Sequence, residues 1–146
     1  MQKRYLAVDP GEKRIGLAIS DASGTIANPL RIIEHHSRAE NALRIIDIAQ
    51  EHDVQEIIIG QSIDDEGEPS LQGRRAARLA VVIRSLSDIP VILWDEGFST
   101  QEALQARIAM QIKKSKRRDH VDDVAATVIL QAYLESKRDK QTGSKK

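Results

Sequence analysis

Apolar positions in this chain fall first into short runs and later into helical spacing. Tyr5–Val8 and Ile15–Ser20 read as strands joined by a turn at Pro10-Gly11. Ser23-Gly24 marks a second turn, and Thr25–Ile33 reads as a third strand carrying Asn28-Pro29, which a strand tolerates at an edge or a bulge. Then the period changes. Ser37-Arg38-Ala39-Glu40 has the capping-box pattern, and Ala42, Leu43, Ile46 and Ala49 follow at helical spacing. "VQEIIIG" is a β-branched run closed by glycine, hence a buried strand. Ala76, Leu79, Ile83 and Leu86 form the stripe of a second helix, and Pro90 introduces the buried strand "VILW". Ser99-Thr100-Gln101-Glu102 is another capping box, opening a helix to about Gln111. "VDDVAATVILQAYLES" is a last helix, apolar on nearly every side and therefore packed.

The order βββαβαβαα predicts an α/β fold: a mixed five-stranded sheet, its first three strands an antiparallel meander, flanked by helices. Residues 1–137 read as one domain and 138–146 as a basic, flexible tail. At 146 residues the chain is long enough for a sizeable core. No apolar run approaches the roughly 20 residues that span a bilayer, so no membrane partner is expected. The start "MQKRYLAVDPG" does not read as a secretory signal, and the cytoplasm is the expected compartment. Cysteine is absent, which excludes disulfides and thiolate metal sites.

Formal net charge is zero, but its distribution is uneven. Lys113, Lys114, Lys116, Arg117 and Arg118 form a dense basic segment, while acids gather in "SIDDEGE". A basic segment in a neutral chain supplies phosphate contacts, or it is simply a solvated loop.

The acids carry the chemistry. Asp9 ends the first strand, Asp95-Glu96 follows the last, and Asp119, Asp122 and Asp123 open the last helix. In such a sheet the carboxyl ends of neighbouring parallel strands lie on one edge, where ligands bind. Carboxylates converging there need a cation, and a few hard oxygen ligands suit Mg²⁺ or Mn²⁺ with substrate phosphate completing the shell. Each acid also has a plainer reading, as a turn residue before Pro-Gly or as a charge at a helix start. Asp122 shares its stripe with Ala125, Ala126 and Ile129 and so points inward, ahead of Asp123. No Gly-x-x-x-x-Gly-Lys loop and no nucleophile elbow points to another chemistry.

The joint pattern resembles the YqgF/RuvX family, described as pre-16S rRNA nucleases and as Holliday-junction-resolvase-like, with a ribonuclease H-like fold. The resemblance runs through "LAVDPGEKRIGLAISD", "VQEIIIG", "VILWDEGFSTQEA" and "VDDVAATVILQAYLES". Its most specific block matches at Asp9, Gly11, Lys13, Arg14, Ile15, Gly16 and Asp21. The resemblance implies a nuclease with Asp9, Glu96 and Asp122 as catalytic metal ligands; the clustering of acids itself suits two ions, with Asp95 and Asp119 as secondary candidates. Lys13, Arg14 and the basic segment 113–118 would contact phosphate. Lys13 and Arg14, if both extended, lie on opposite faces, so one should reach the phosphate directly. The implied partner is structured nucleic acid, a precursor ribosomal RNA end or branched DNA. Two positions depart from the family pattern: Gly97 stands where arginine is usual, and Gln61-Ser62 where leucine-proline follows the glycine. A junction resolvase and a non-catalytic nucleic-acid-binding module are the alternatives, and the sequence leaves the oligomeric state open.

Overall fold

The two apolar runs that begin the chain pair with each other. In the computed structural model, which describes residues 3–63, 66–95, 104, 106–111 and 124–143, β1 (Tyr5–Pro10) and β2 (Arg14–Ser20) are antiparallel, from Leu6↔Ile19 to Pro10↔Ile15. The first strand therefore runs past Val8 and through Pro10, and the turn falls one residue later than the sequence suggested. The Gly11 N–H donates to the Arg14 carbonyl at 3.0 Å and closes the hairpin. A Cβ on Gly11 would collide with that same carbonyl oxygen, so the turn requires glycine here.

β3 (Ala27–Glu34) adds to β2 at the sheet edge, with a register shift between Leu17 and Ala18, paired to Arg31 and Pro29. Edge and bulge together accommodate Pro29, whose missing donor a central strand would not tolerate. α1 (Arg38–Glu51) follows, capped by Ser37, whose hydroxyl accepts from the Glu40 N–H at 3.1 Å. β4 (Glu56–Gln61) lies parallel to β1, α2 (Leu71–Leu86) crosses back, and β5 (Val91–Asp95) lies parallel to β4. The sheet order is β3-β2-β1-β4-β5. A short helical stretch, α3 (106–111), precedes α4 (Val124–Gly143), which continues past residue 137.

Strand alternation sorts the core into two layers. Leu6 and Val8 of β1, Ile15 and Leu17 of β2, and Ile57 and Ile59 of β4 pack under α1 and α2. Tyr5, Ala7, Ala18 and Ile58 pack under α4, against Ala126, Ile129, Leu130 and Tyr133. Buried on both faces, β1 and β4 read as continuous apolar runs rather than alternating ones. α4 is covered on its far side by Leu104 and Ile108, which meet Val128 and Ala132. That second contact explains a helix apolar nearly all round. Among the described residues, no helix is long and apolar enough to cross a membrane.

Candidate active site

Alternation decides which way the strand-end residues face. Asp9 follows Tyr5 and Ala7 onto the α4 face, and Pro10 follows Leu6 and Val8 onto the other. The rung opposite Asp9 on β2 is Gly16. On the other flank, the register Ala7↔Ile58 and Val8↔Ile59 brings Gly60 next in line beside Asp9, on the face of Ile58. Both glycines are buried. The carboxylate thus stands between two positions without side chains, at the carboxyl edge of the parallel strands β1, β4 and β5. Sequence reasoning picked out Gly16 but passed over Gly60. Its signal was there: a glycine closing an otherwise β-branched strand, where backbone must be approached closely.

Arg14 shares this face. It lies two residues from Gly16 on β2, diagonal to Asp9, a relation that sets Cα atoms about 7–8 Å apart. Lys13 belongs to the turn instead, and its carbonyl accepts from the His35 N–H at 2.9 Å. Lys13 is thus not extended, and strand alternation places Arg14 alone, on the side of Asp9. Asp95 falls on the opposite face: Val91 and Leu93 of β5 join the α1/α2 layer, Ile92 and Trp94 the α4 layer. Asp95 is beside Gln61 in the ladder but does not share a face with Asp9.

α4 is pinned to the far end of the sheet by polar contacts. The Tyr133 hydroxyl donates to the Glu56 carboxylate at 2.6 Å, and the Tyr5 and Tyr133 rings meet edge to face at 5.9 Å. The Gln131 amide accepts from the Ala27 N–H at 2.9 Å and donates to the Thr25 carbonyl at 3.2 Å. Toward its amino end the helix packs Ala126 on the sheet face of Ala7 and Ile58, the face of Asp9.

Asp21, part of the most specific sequence block, has a different task. It sits at the far end of β2, where its carboxylate accepts from the Thr25 and Ile26 N–H groups at 2.8 and 3.0 Å and from the Ser23 hydroxyl at 2.6 Å. Burial pushes its pKa up, but the hydrogen bonds from Ile26, Ser23 and Thr25 outweigh this and hold it below the ordinary aspartate value. Asp21 shapes the β2–β3 turn that Gln131 grips.

The atypical Gln61-Ser62 pair fastens the loop to α2. The Ser62 carbonyl accepts from both the N–H and the hydroxyl of Ser70, the α2 N-cap, at 2.9 and 3.1 Å. Gln61 donates to the Gly73 carbonyl at 3.2 Å. A Cβ on Gly73 would strike the Ser62 oxygen, so α2 approaches as closely as backbone allows. Glu96, Gly97, the Ser99–Glu102 capping pattern, Lys113, Lys114, Lys116, Arg117, Arg118, Asp119 and Asp122 lie outside the described residues.

Known proteins resemble this chain in sequence and in fold. The model of the family described as "RuvX: Holliday junction resolvase" matches residues 3–136. A protein of Thermoanaerobacter pseudethanolicus named "Putative pre-16S rRNA nuclease" is 39% identical over 138 residues, 94% of this chain and 99% of its own length. One of the same name from Acetivibrio thermocellus is 38% identical, over 92% of this chain and 96% of its own. Among solved structures, Thermus thermophilus RuvC aligns with TM-score 0.62 at 12% identity, covering 93% of this chain and 96% of that one. The fowlpox virus resolvase bound to Holliday junction DNA aligns with TM-score 0.55 at 16% identity, covering 93% and 98%. These two likenesses establish a shared ribonuclease H-like fold. With nearly the whole length matched by the family model and by relatives of more than one-third identity, the chain belongs to the RuvX family.

Proposed function

We propose that this chain is a divalent-metal-dependent nuclease that cleaves phosphodiester bonds in structured nucleic acid, with the end of pre-16S ribosomal RNA as its substrate. The observation that carries the reading is Asp9: a carboxylate on a central strand, between Gly16 and Gly60, with Arg14 on the same face. The relatives' names supply the substrate.

The ligands proposed for the metal are Asp9, Glu96 and Asp122. Glu96 follows β5 directly in sequence and matches the family's acidic block there. Asp122 lies two residues before Val124, the first described residue of α4, whose Ala126 packs on the face of Asp9. The donor set is all carboxylate oxygen, which fits Mg²⁺ or Mn²⁺. Bound as a pair, such ions supply a water of lowered pKa and charge stabilisation of the leaving oxygen.

The protein's own contributions are positional. The sheet holds Asp9 without loop entropy. The glycines leave room for the backbone of the substrate to come close. Arg14 meets the phosphate charge, and Lys113, Lys114, Lys116, Arg117 and Arg118 add affinity that carries little sequence information.

Asp9→Asn should abolish cleavage of a precursor 16S RNA end in Mg²⁺ or Mn²⁺ while leaving the thermal midpoint nearly unchanged. A variant that cleaves at the wild-type rate would refute the site. Junction resolution is the second reading, favoured by the family's description and by the resolvase fold. It requires a dimer, because two strands must be cut symmetrically. Cleavage of a four-way DNA junction, measured beside the solution mass, separates it from RNA processing.

A further inference from the structure

Across the sheet from the Asp9 carboxylate lie two adjoining hollows. One, of about 520 Å³, is lined by residues that include Gly11, Glu12, His35, Arg38, Asn41 and Arg75. The other, of about 650 Å³, is lined by residues that include Glu12, Lys13, Ser62, Ser70, Gln72 and Arg75. Glu12 and Arg75 belong to both. They form an ion pair of 3.0 Å that stands as a partition between the hollows. Among the described residues, Glu12 is the only acid lining either hollow; the cations around it come from Lys13, Arg38 and Arg75, with His35 beside them.

We infer that this is a second track for the phosphate backbone of a single nucleic-acid strand, and that Glu12 masks Arg75 until a substrate phosphate displaces it. The inference rests on the reading of the chain as a nucleic-acid enzyme and deepens it. Three observations carry it. The track is cationic except at one point, and that point is the partner of the arginine at its centre. The pair is open to water, since the Glu12 side chain is 70% exposed and that of Arg75 38%, so exchanging one oxyanion for another costs little desolvation. Finally, the β1–β2 turn joins the two sides of the sheet. Arg14 faces the side of Asp9, Lys13 lines the track, and one strand passing over the turn meets both. Arg75 supplies the planar donor fork that suits a phosphate, and a bidentate contact replaces the carboxylate it already holds.

The test is a gain of affinity. Binding of a fluorescently labelled single-stranded RNA is measured by anisotropy in EDTA, where metal-dependent cleavage does not intervene. Glu12→Gln should bind about two- to five-fold more tightly than wild type, the range set by releasing a surface ion pair. Arg75→Gln should weaken binding and reduce the slope of log K against log salt by about 0.7. In the double variant the gain from Glu12→Gln should vanish. Equal or weaker binding by Glu12→Gln overturns the proposal. So does a gain that persists without Arg75, because it would report only the loss of a negative charge. Failure of the wild type to bind this RNA overturns the inference, and failure to bind a structured precursor RNA in the same assay overturns the nuclease reading with it. A wild type that binds, with no Glu12 effect, overturns this inference alone.

Discussion

Tyr133→Phe tests whether the polar anchor at the far end of α4 holds the helix down. The change deletes one oxygen and keeps the ring, so the edge-to-face contacts with Tyr5 and Trp94, at centroid distances of 5.9 and 5.3 Å, remain. What goes is the 2.6 Å hydrogen bond to Glu56, a residue only 7% exposed. A hydrogen bond to a charged, buried acceptor contributes about 1.5–3 kcal/mol. Lys3 still reaches Glu56 at 3.4 Å, but it is half in solvent and a weak substitute. The expected loss is therefore about 2 kcal/mol, which lowers the thermal midpoint of a chain this size by roughly 4–8 °C.

The pH dependence gives a second readout. Burial first, then the bond to Glu56 and its negative charge, push the Tyr133 pKa well above the ordinary tyrosine value of 10.0. Above that value an unfolded tyrosine ionises while Tyr133 keeps its proton. The unfolded state then binds fewer protons, and wild-type stability falls as pH rises. Tyr133→Phe lacks this component, so its deficit should narrow between pH 9 and pH 11 in paired thermal melts. A midpoint within about 1 °C of wild type at neutral pH, or a deficit that does not change with pH, would refute the reasoning.

Asp21→Ala should cost about 1–2 kcal/mol by releasing two backbone N–H groups and one hydroxyl at the β2–β3 turn, measured by urea unfolding. Because the Asp21 pKa is lowered on folding, its contribution is present above the usual aspartate value of 3.8 and lost as pH falls through the folded value, so the gap between wild type and variant should close in acid. Replacing Lys113, Lys114 and Lys116 with alanine should flatten the salt dependence of RNA binding by about 0.7 for each phosphate no longer neutralised, with metal affinity unchanged by titration calorimetry; an unaltered slope would return the segment to a solvated loop.

Much of the fold was legible because apolar period reports burial geometry directly. "VQEIIIG" reads as a buried strand from its β-branched run and closing glycine, and Ser37 with Glu40 marked a helix start by local chemistry alone. The same local rules put Asp9 at a strand end and singled out Lys13 and Arg14. They placed the end of β1 too early, since Pro10 reads as a breaker and only its partner Ile15 shows that the ladder continues. The predicted antiparallel meander already favoured Asp9 over Asp21, two aspartates in one motif, by putting the end of the second strand away from that of the first. The sheet separates them: antiparallel pairing sends Asp21 to the far end, where backbone donors occupy it, and parallel pairing with β4 sets Asp9 beside Gly60. Likewise Asp95 was a fair candidate by sequence, and only the assignment of Val91 and Leu93 to the α1/α2 layer turns it away from Asp9. The Glu12–Arg75 partition joins residues far apart in sequence, in contact only because α2 docks on Ser62. Sequence determines what each segment buries, because that depends on neighbours a few residues away. Which carboxylates face one another depends on strand register and helix docking, and those are settled only by the packing of the whole chain.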